Sequence, residues 1–134
     1  MTTWMVVEDE PDLYDMVLAM YETLGIDGVA FLNGEDAVNW LDDVDAGAVD
    51  VDLPQLALLD IRLPGAISGI HVGARIRASQ CLGHIPIVLM TAYRLTPTQM
   101  DEALSEAGAD LLIYKPLPTI DEFQRLMFDV LARR

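Results

Sequence analysis

Five short apolar runs, separated by segments with helical periodicity, constrain the fold of this chain more than any other feature. The runs are WMVV (4–7), GVAF (28–31), LALL (56–59), IPIVLM (85–90) and DLLIY (110–114). Four of them are apolar throughout rather than alternating, which is typical of strands covered on both faces. The pattern therefore predicts an α/β domain with a five-stranded parallel sheet and five flanking helices.

Helix-capping residues stand between and after these runs. Pro11 is placed to open a first helix, Asn33 to cap a second, and Ser68 with Gly69 to begin a third. The sequences TPTQ (96–99) and TIDE (119–122) read as capping boxes for a fourth and a fifth helix. Gly108 is placed where the fourth helix should end.

Apolar residues at helical spacing predict the side of each helix that faces the core. For the first helix they are Leu13, Met16, Val17, Met20 and Leu24, and for the second Ala37, Val38 and Leu41. For the third helix they are Val72 and Ile76, and for the fifth Phe123, Leu126, Met127, Val130 and Leu131. Strict alternation of strands and helices, with right-handed crossovers, favours a flavodoxin-like doubly wound sheet in the order 2-1-3-4-5. We expect residues 1–134 to form a single domain.

Charge and composition exclude several classes of function. Eight basic and 22 acidic residues give a formal net charge of −14, which opposes binding to nucleic acid and to anionic membranes. The N-terminal stretch resembles neither a signal peptide nor an anchor, and the lone Cys81, expected to be a buried structural thiol, suits a reducing compartment. We therefore expect a cytoplasmic protein, in which the acidic segment 42–52 forms a solvated loop.

Polar residues follow four of the predicted strands at the edge where ligands bind in such sheets. They are Glu8 and Asp9 after the first strand, Asp60 after the third, Thr91 after the fourth and Lys115 after the fifth. Carboxylates from two strands are suited to Mg²⁺, and a carboxylate beside that ion can act as nucleophile toward a phosphoryl donor. Asp60 is the expected nucleophile, with Lys115 and Thr91 meeting the phosphoryl oxygens.

With these residues in order, and with LPG after Asp60, AGAD before the fifth strand and KP at its end, the chain resembles the receiver domain of two-component response regulators from about Thr3 to Arg134. The resemblance implies that Glu8 and Asp9 are the acidic pair, Asp60 the phosphoacceptor, Thr91 the switch hydroxyl and Lys115 the phosphoryl-binding lysine. It also implies that the backbone carbonyl of Arg62 helps to hold Mg²⁺ and that the Lys115–Pro116 peptide bond is cis.

The chain departs from the family pattern near this site. Leu112 stands where the family usually has a switch aromatic, and Tyr114 lies two residues later on the same face of the strand. Arg62 and Tyr93 occupy places that influence the lifetime of the phosphoryl group in the family, and we expect both to screen the attacking water. The LPGAISG turn (63–69) is one residue longer than is usual in the family.

The resemblance implies a signalling protein rather than an enzyme. A histidine kinase or a histidine phosphotransfer protein would donate the phosphoryl group, and an unknown downstream protein would bind the surface of the fourth helix, fifth strand and fifth helix. Because the chain ends after the fifth helix, we expect no output domain within it.

Two alternatives stay open. One is a pseudo-receiver scaffold without phosphorylation, for which Leu112 leaves room. The other is a haloacid dehalogenase-like phosphatase, whose chemistry needs an aspartate where Arg62 stands. His71 and His84 are expected in solvent, without a role as metal ligands.

Overall fold

The computed structural model describes residues 2–134, in which five strands alternate with five helices. In chain order these are β1 (Thr3–Val7), α1 (Pro11–Thr23), β2 (Asp27–Phe31), α2 (Gly34–Asp45), β3 (Ala57–Asp60), α3 (Gly69–Arg77), β4 (Ile87–Thr91), α4 (Pro97–Ala107), β5 (Leu111–Tyr114) and α5 (Ile120–Ala132). The strands form one parallel sheet in the order β2-β1-β3-β4-β5. The predicted fold class and strand order are confirmed.

The uniformly apolar strands are buried because helices cover both faces of the sheet. Side chains alternate between the faces, so Trp4 and Val6 of β1 pack toward α1 and α5, whereas Met5 and Val7 pack toward α2, α3 and α4. β1, β3 and β4 are buried along their whole length. The absence of alternating polarity in the sequence thus reports burial on both sides.

The predicted caps form. Pro11 occupies the first turn of α1, and the Asn33 side chain accepts a hydrogen bond from the amide of Asp36. Thr96 and Gln99 make both bonds of a capping box at the start of α4, which ends at Gly108. At the start of α5, the Thr119 hydroxyl accepts the bond from the Glu122 amide.

Two expectations about burial were wrong, and the expected loop over residues 42–52 begins only at residue 46. Cys81 is exposed in the turn that follows α3, not buried. Met16 is 50% exposed, because its position on α1 faces away from the sheet. α2 continues through Asp45 into the segment expected as a loop, and the Asp45 carboxylate lies 2.8 Å from Arg75 of α3, which ties the helix end to its neighbour.

Both histidines are exposed, as predicted. His71 has a local structural role, since its Nδ1 accepts a hydrogen bond from the Ser68 amide at the start of α3. Among residues 2–134, every helix is too short or too polar to cross a membrane.

Candidate functional site

The register of the sheet brings the predicted site residues to one edge. Val7 pairs with Leu59, and Thr91 pairs with Tyr114, so the carboxyl ends of β1, β3, β4 and β5 lie side by side. Glu8 and Asp9 follow β1, Asp60 and Thr91 end β3 and β4, and Lys115 follows β5. The structure therefore brings together side chains that are as far apart in the sequence as Glu8 and Lys115.

Three carboxylates meet at this edge. One oxygen from each of Glu8, Asp9 and Asp60 lies within 4.8 Å of the others. Glu8 is fully buried, and its Oε2 accepts a hydrogen bond of 2.8 Å from the Asp9 amide. Clustered carboxylate oxygens of this kind are the hard donors that Mg²⁺ prefers, so the donor set fits that ion.

Lys115, the only lysine in the chain, lies among these carboxylates. Its Nζ is 2.6 Å from Glu8 Oε1 and 2.9 Å from Asp60 Oδ2. This ammonium offsets part of the repulsion among the acids that follow β1 and β3. When all four groups are ionised, three negative charges still face one positive charge, so the cluster can accept a further cation.

Burial and the neighbouring charges together shift the pKa values of the site. Burial, followed by hydrogen bonding to Asp60, raises the pKa of Glu8 above its usual range. Burial and the neighbouring Glu8 likewise raise the pKa of Asp9. Burial alone would lower the pKa of Lys115, but the carboxylates of Glu8 and Asp60 more than offset that effect, so its pKa is raised.

The loop after β3 starts against the carboxylate of Asp60. Its Oδ1 accepts a hydrogen bond of 3.3 Å from the Arg62 amide. The loop returns at Gly69, whose amide donates to the Ile61 carbonyl, and a Cβ at that position would collide with the carbonyl oxygen of Asp60. Glycine at position 69 thus allows α3 to begin directly beside the end of β3.

Thr91 is buried at the end of β4, and its Oγ1 accepts a hydrogen bond of 3.2 Å from the Tyr93 amide. The Tyr93 ring packs against the guanidinium of Arg62. These contacts link the loops after β3 and β4 at the rim of the acidic cluster.

Sequence reasoning missed a second set of contacts in the loop after β4. The Tyr114 hydroxyl accepts a hydrogen bond of 3.3 Å from the Leu95 amide, and the Arg94 guanidinium lies 4.5 Å from the centre of the Tyr114 ring. Leu112 instead pairs with Leu89 within the sheet and packs against the core that α2, α3 and α4 cover. The sequence signal that could have indicated these contacts was the place of Tyr114 on the same face of β5 as Leu112.

The Lys115–Pro116 bond is cis, as the resemblance implied.

Comparison with known proteins adds to this geometry. A family model described as "Response regulator receiver domain" matches residues 4–126. The DNA-binding response regulator MtrA of Mycolicibacterium smegmatis is 34% identical over 84% of the chain, which spans 43% of that protein. The polar-differentiation response regulator DivK of Brucella anthropi is 26% identical over 84% of the chain and 83% of its own length.

A solved structure shares the fold. The receiver domain of the sensor histidine kinase PA1611 from Pseudomonas aeruginosa, described with a magnesium ion coordinated in its active site cleft, superposes with a TM-score of 0.78. It is 25% identical, with 98% of each chain covered. The present chain spans about half or less of the full length of relatives such as MtrA.

Proposed function

The chain belongs to the response regulator receiver domain family, and on that premise we propose that it accepts a phosphoryl group on Asp60 in a Mg²⁺-dependent reaction. The observation that carries this proposal is the position of the Asp60 carboxylate. It ends a buried strand, lies 2.9 Å from the only lysine ammonium, and shares a cluster with two further carboxylates. The proposal treats residues 1–134 as one receiver domain.

The same cluster supports a magnesium site. Asp9, Asp60 and the backbone carbonyl of Arg62 would hold the ion, and Glu8 would act on it through a bound water. When bound, Mg²⁺ supplies positive charge that stabilises the phosphoryl oxygens during transfer. Receiver domains typically bind this ion, and the three carboxylates of this chain provide a suitable donor set.

The chain's own residues account for the transfer chemistry. A carboxylate oxygen of Asp60 forms a bond to the phosphorus of a phosphohistidine, and the phosphorus–nitrogen bond breaks. The donor imidazole leaves with the bonding electrons and takes a proton from solvent, while Asp60 becomes an acyl phosphate. The Lys115 ammonium then pairs with a phosphoryl oxygen. Its ion pairs with Glu8 and Asp60 already hold it beside the oxygen that would carry the phosphoryl group.

Thr91 links this chemistry to the surface. Its hydroxyl would donate a hydrogen bond to the phosphoryl group, and the loop that begins at Thr91 would shift with it. The present contact between Thr91 Oγ1 and the Tyr93 amide gives that loop a defined starting position. A change of this kind would bias the face formed by α4, β5 and α5 toward a downstream protein partner.

Receiver domains interact with histidine kinases or histidine phosphotransfer proteins, and the proposal assigns one of these as the donor. The −14 net charge favours a protein partner over nucleic acid for the chain itself. A cytoplasmic location belongs to the same proposal, since the exposed and unpaired Cys81 suits a reducing compartment.

Two rival functions make different predictions. A pseudo-receiver would bind no Mg²⁺ and take up no phosphoryl group. A haloacid dehalogenase-like phosphatase would hydrolyse phosphomonoesters steadily, yet Arg62 stands where that chemistry needs an acid. The intact cluster of Glu8, Asp9, Asp60 and Lys115 favours the receiver.

The test is incubation of the protein with Mg²⁺ and acetyl phosphate, followed by intact mass measurement. We expect one labile phosphoryl adduct in the wild-type protein and in the control Asp36→Ala, and no adduct in Asp60→Ala or without Mg²⁺. An adduct that persists in Asp60→Ala, or no adduct in the wild-type protein, would refute the proposal. Steady release of phosphate from a phosphomonoester would favour the phosphatase.

A further inference from the structure

Glu35, in the first turn of α2, makes a contact that its place in the sequence does not predict. Its Oε2 accepts a hydrogen bond of 3.0 Å from the amide of Ala66, which lies 31 residues later in the loop between β3 and α3. A side chain outside the acidic cluster therefore holds the loop that begins at Asp60.

The loop backbone fits closely around this carboxylate. Gly65 has φ of +82°, a left-handed conformation that glycine adopts readily, and a Cβ at this position would collide with the Glu35 carboxylate. At Gly34, which directly precedes Glu35, a Cβ would lie 2.7 Å from the Ile67 carbonyl oxygen. The start of α2 and residues 65–67 are thus packed against each other through both backbone and side chain.

Other hydrogen bonds fix the two ends of this loop. Near its start, the Arg62 amide donates to Asp60 Oδ1, and at its end the Gly69 amide donates to the Ile61 carbonyl. Between these points, the bond from Ala66 to Glu35 joins the loop to a neighbouring element. This loop is also the one that the sequence indicates to be one residue longer than is usual in the family.

From these contacts we infer that Glu35 is a positioning residue for the Mg²⁺ site. By holding Ala66, it limits the conformations of residues 62–65 and so the freedom of the Arg62 backbone carbonyl, which the proposed function assigns to the ion. Residues that orient metal ligands without touching the ion affect affinity strongly. This inference rests on the proposed function, because it assigns Arg62 a part in holding the ion.

Four variants separate this role from a helix-terminus charge effect. Glu35→Ala removes the bond to Ala66, and Glu35→Asp keeps the negative charge but is one methylene too short to reach the amide. Glu35→Gln loses the charge but keeps an acceptor oxygen at the same reach. Asp36→Ala removes the other acid in the first turn of α2, which does not bond to the loop.

Two measurements are made on each protein: Mg²⁺ affinity by isothermal titration calorimetry, and hydrogen exchange of the Ala66 amide by NMR without metal. We expect Glu35→Ala and Glu35→Asp to exchange faster at Ala66 and to bind Mg²⁺ roughly tenfold more weakly. Glu35→Gln and Asp36→Ala should stay close to the wild-type protein in both measurements.

Three results would overturn the inference. Unchanged Mg²⁺ affinity in Glu35→Ala would show that the contact does not orient the site, whatever happens to Ala66. Weakened binding in Glu35→Gln with normal binding in Glu35→Asp would assign the effect to charge at the helix terminus. Wild-type protein that binds no Mg²⁺ would overturn the proposed function as well, which distinguishes that failure from the first two.

Discussion

The guanidinium carbon of Arg62 lies 3.8 Å from the centre of the Tyr93 ring, so the loops after β3 and β4 are in direct contact beside Asp60. A cation over an aromatic face is attracted by the ring quadrupole, by about 0.5–1 kcal/mol at an exposed site. The two side chains follow Asp60 and Thr91 by two residues each. We expect these two side chains, which contact each other, to screen Asp60 from the attacking water.

Arg62→Ala and Tyr93→Ala should each shorten the lifetime of the phosphoryl group on Asp60, because each opens a path for the attacking water. The measurement is loss of the adduct by intact mass after the donor is removed. The double variant should be little faster than the faster single variant, since the side chains act as a pair.

Arg94→Ala is the matched control for this prediction, because Arg94 lies in the same loop but packs on Tyr114. Its adduct should decay at the wild-type rate. Decay in Arg62→Ala and Tyr93→Ala that is no faster than in the wild-type protein would show that the pair does not screen water.

Mg²⁺ should raise the melting temperature of the wild-type protein, because an ion that binds the folded cluster stabilises it by mass action. At one hundred times the dissociation constant the gain is about 2.7 kcal/mol. Asp9→Asn should lose this gain and should be more stable than the wild-type protein without metal, since Asp9 is an acid whose pKa is raised in the folded state.

Asp12→Asn serves as the comparison, because Asp12 is an exposed acid in the first turn of α1. Thermal unfolding with and without Mg²⁺ should give the wild-type shift in this variant. An equal loss of the shift in Asp12→Asn would mean that the ion responds to general charge rather than to the cluster.

Lys115→Met should destabilise the metal-free protein strongly, because it leaves the fully buried Glu8 carboxylate beside Asp60 without a counter-charge. Breaking a buried ion pair in this way costs about 3–5 kcal/mol. Adding Glu8→Gln to Lys115→Met should recover part of the loss, and urea unfolding measures both.

The surface variant Arg125→Ala sets the scale for this experiment. Arg125 pairs with Glu122 and Asp129 on the exposed face of α5, where ion pairs contribute little. If Lys115→Met lowers the free energy of unfolding no more than Arg125→Ala does, the view that the site is short of positive charge is contradicted.

Asp45, which lies far from the acidic cluster, should make the free energy of unfolding depend on pH in the acid range. A hydrogen bond from Ser79 and then the Arg75 guanidinium lower the pKa of its carboxyl below the ordinary value of 3.8. The ionised form therefore stabilises the fold above pH 3.8, and that stability is lost as the pH falls through the lower folded pKa.

The free energies of unfolding of Asp45→Asn and the wild-type protein, measured in urea, should consequently differ by a constant amount well above pH 3.8 and converge as the pH falls below that value. Asp43→Asn, on an exposed position of the same helix, should follow the wild-type curve. A difference between Asp45→Asn and wild type that persists unchanged to low pH would argue that packing, not ionisation, is responsible.

Much of the architecture was predictable because its signals are local. Uniform apolar runs such as that ending at Asp60 indicate strands buried on both faces, and Pro11, Asn33 and Thr96 mark helix starts through backbone chemistry that acts within one turn. The strand-end positions of Glu8, Asp9, Asp60, Thr91 and Lys115 then followed from the parallel order. Periodicity was less reliable for single side chains, as the exposed Met16 shows, and the expected burial of the lone Cys81 was also wrong.

The contacts between distant segments were not predictable in the same way. Neither the bond from Ala66 to Glu35 nor that from Leu95 to Tyr114 has a sequence pattern, because each depends on how a loop meets a distant helix or strand in the folded chain. The pairing of Lys115 with both Glu8 and Asp60 likewise needs the spatial order of β1, β3 and β5.

By itself, the sequence determined the alternation of strands and helices and which polar residues stand at strand ends, since apolar periodicity and capping act over a few residues. Only the tertiary structure decided which of those residues touch, which carboxylates share one ammonium, and which distant side chain holds the loop after Asp60. Those contacts depend on packing between segments far apart in the chain, and the free energy of a charge is set by its neighbours in space.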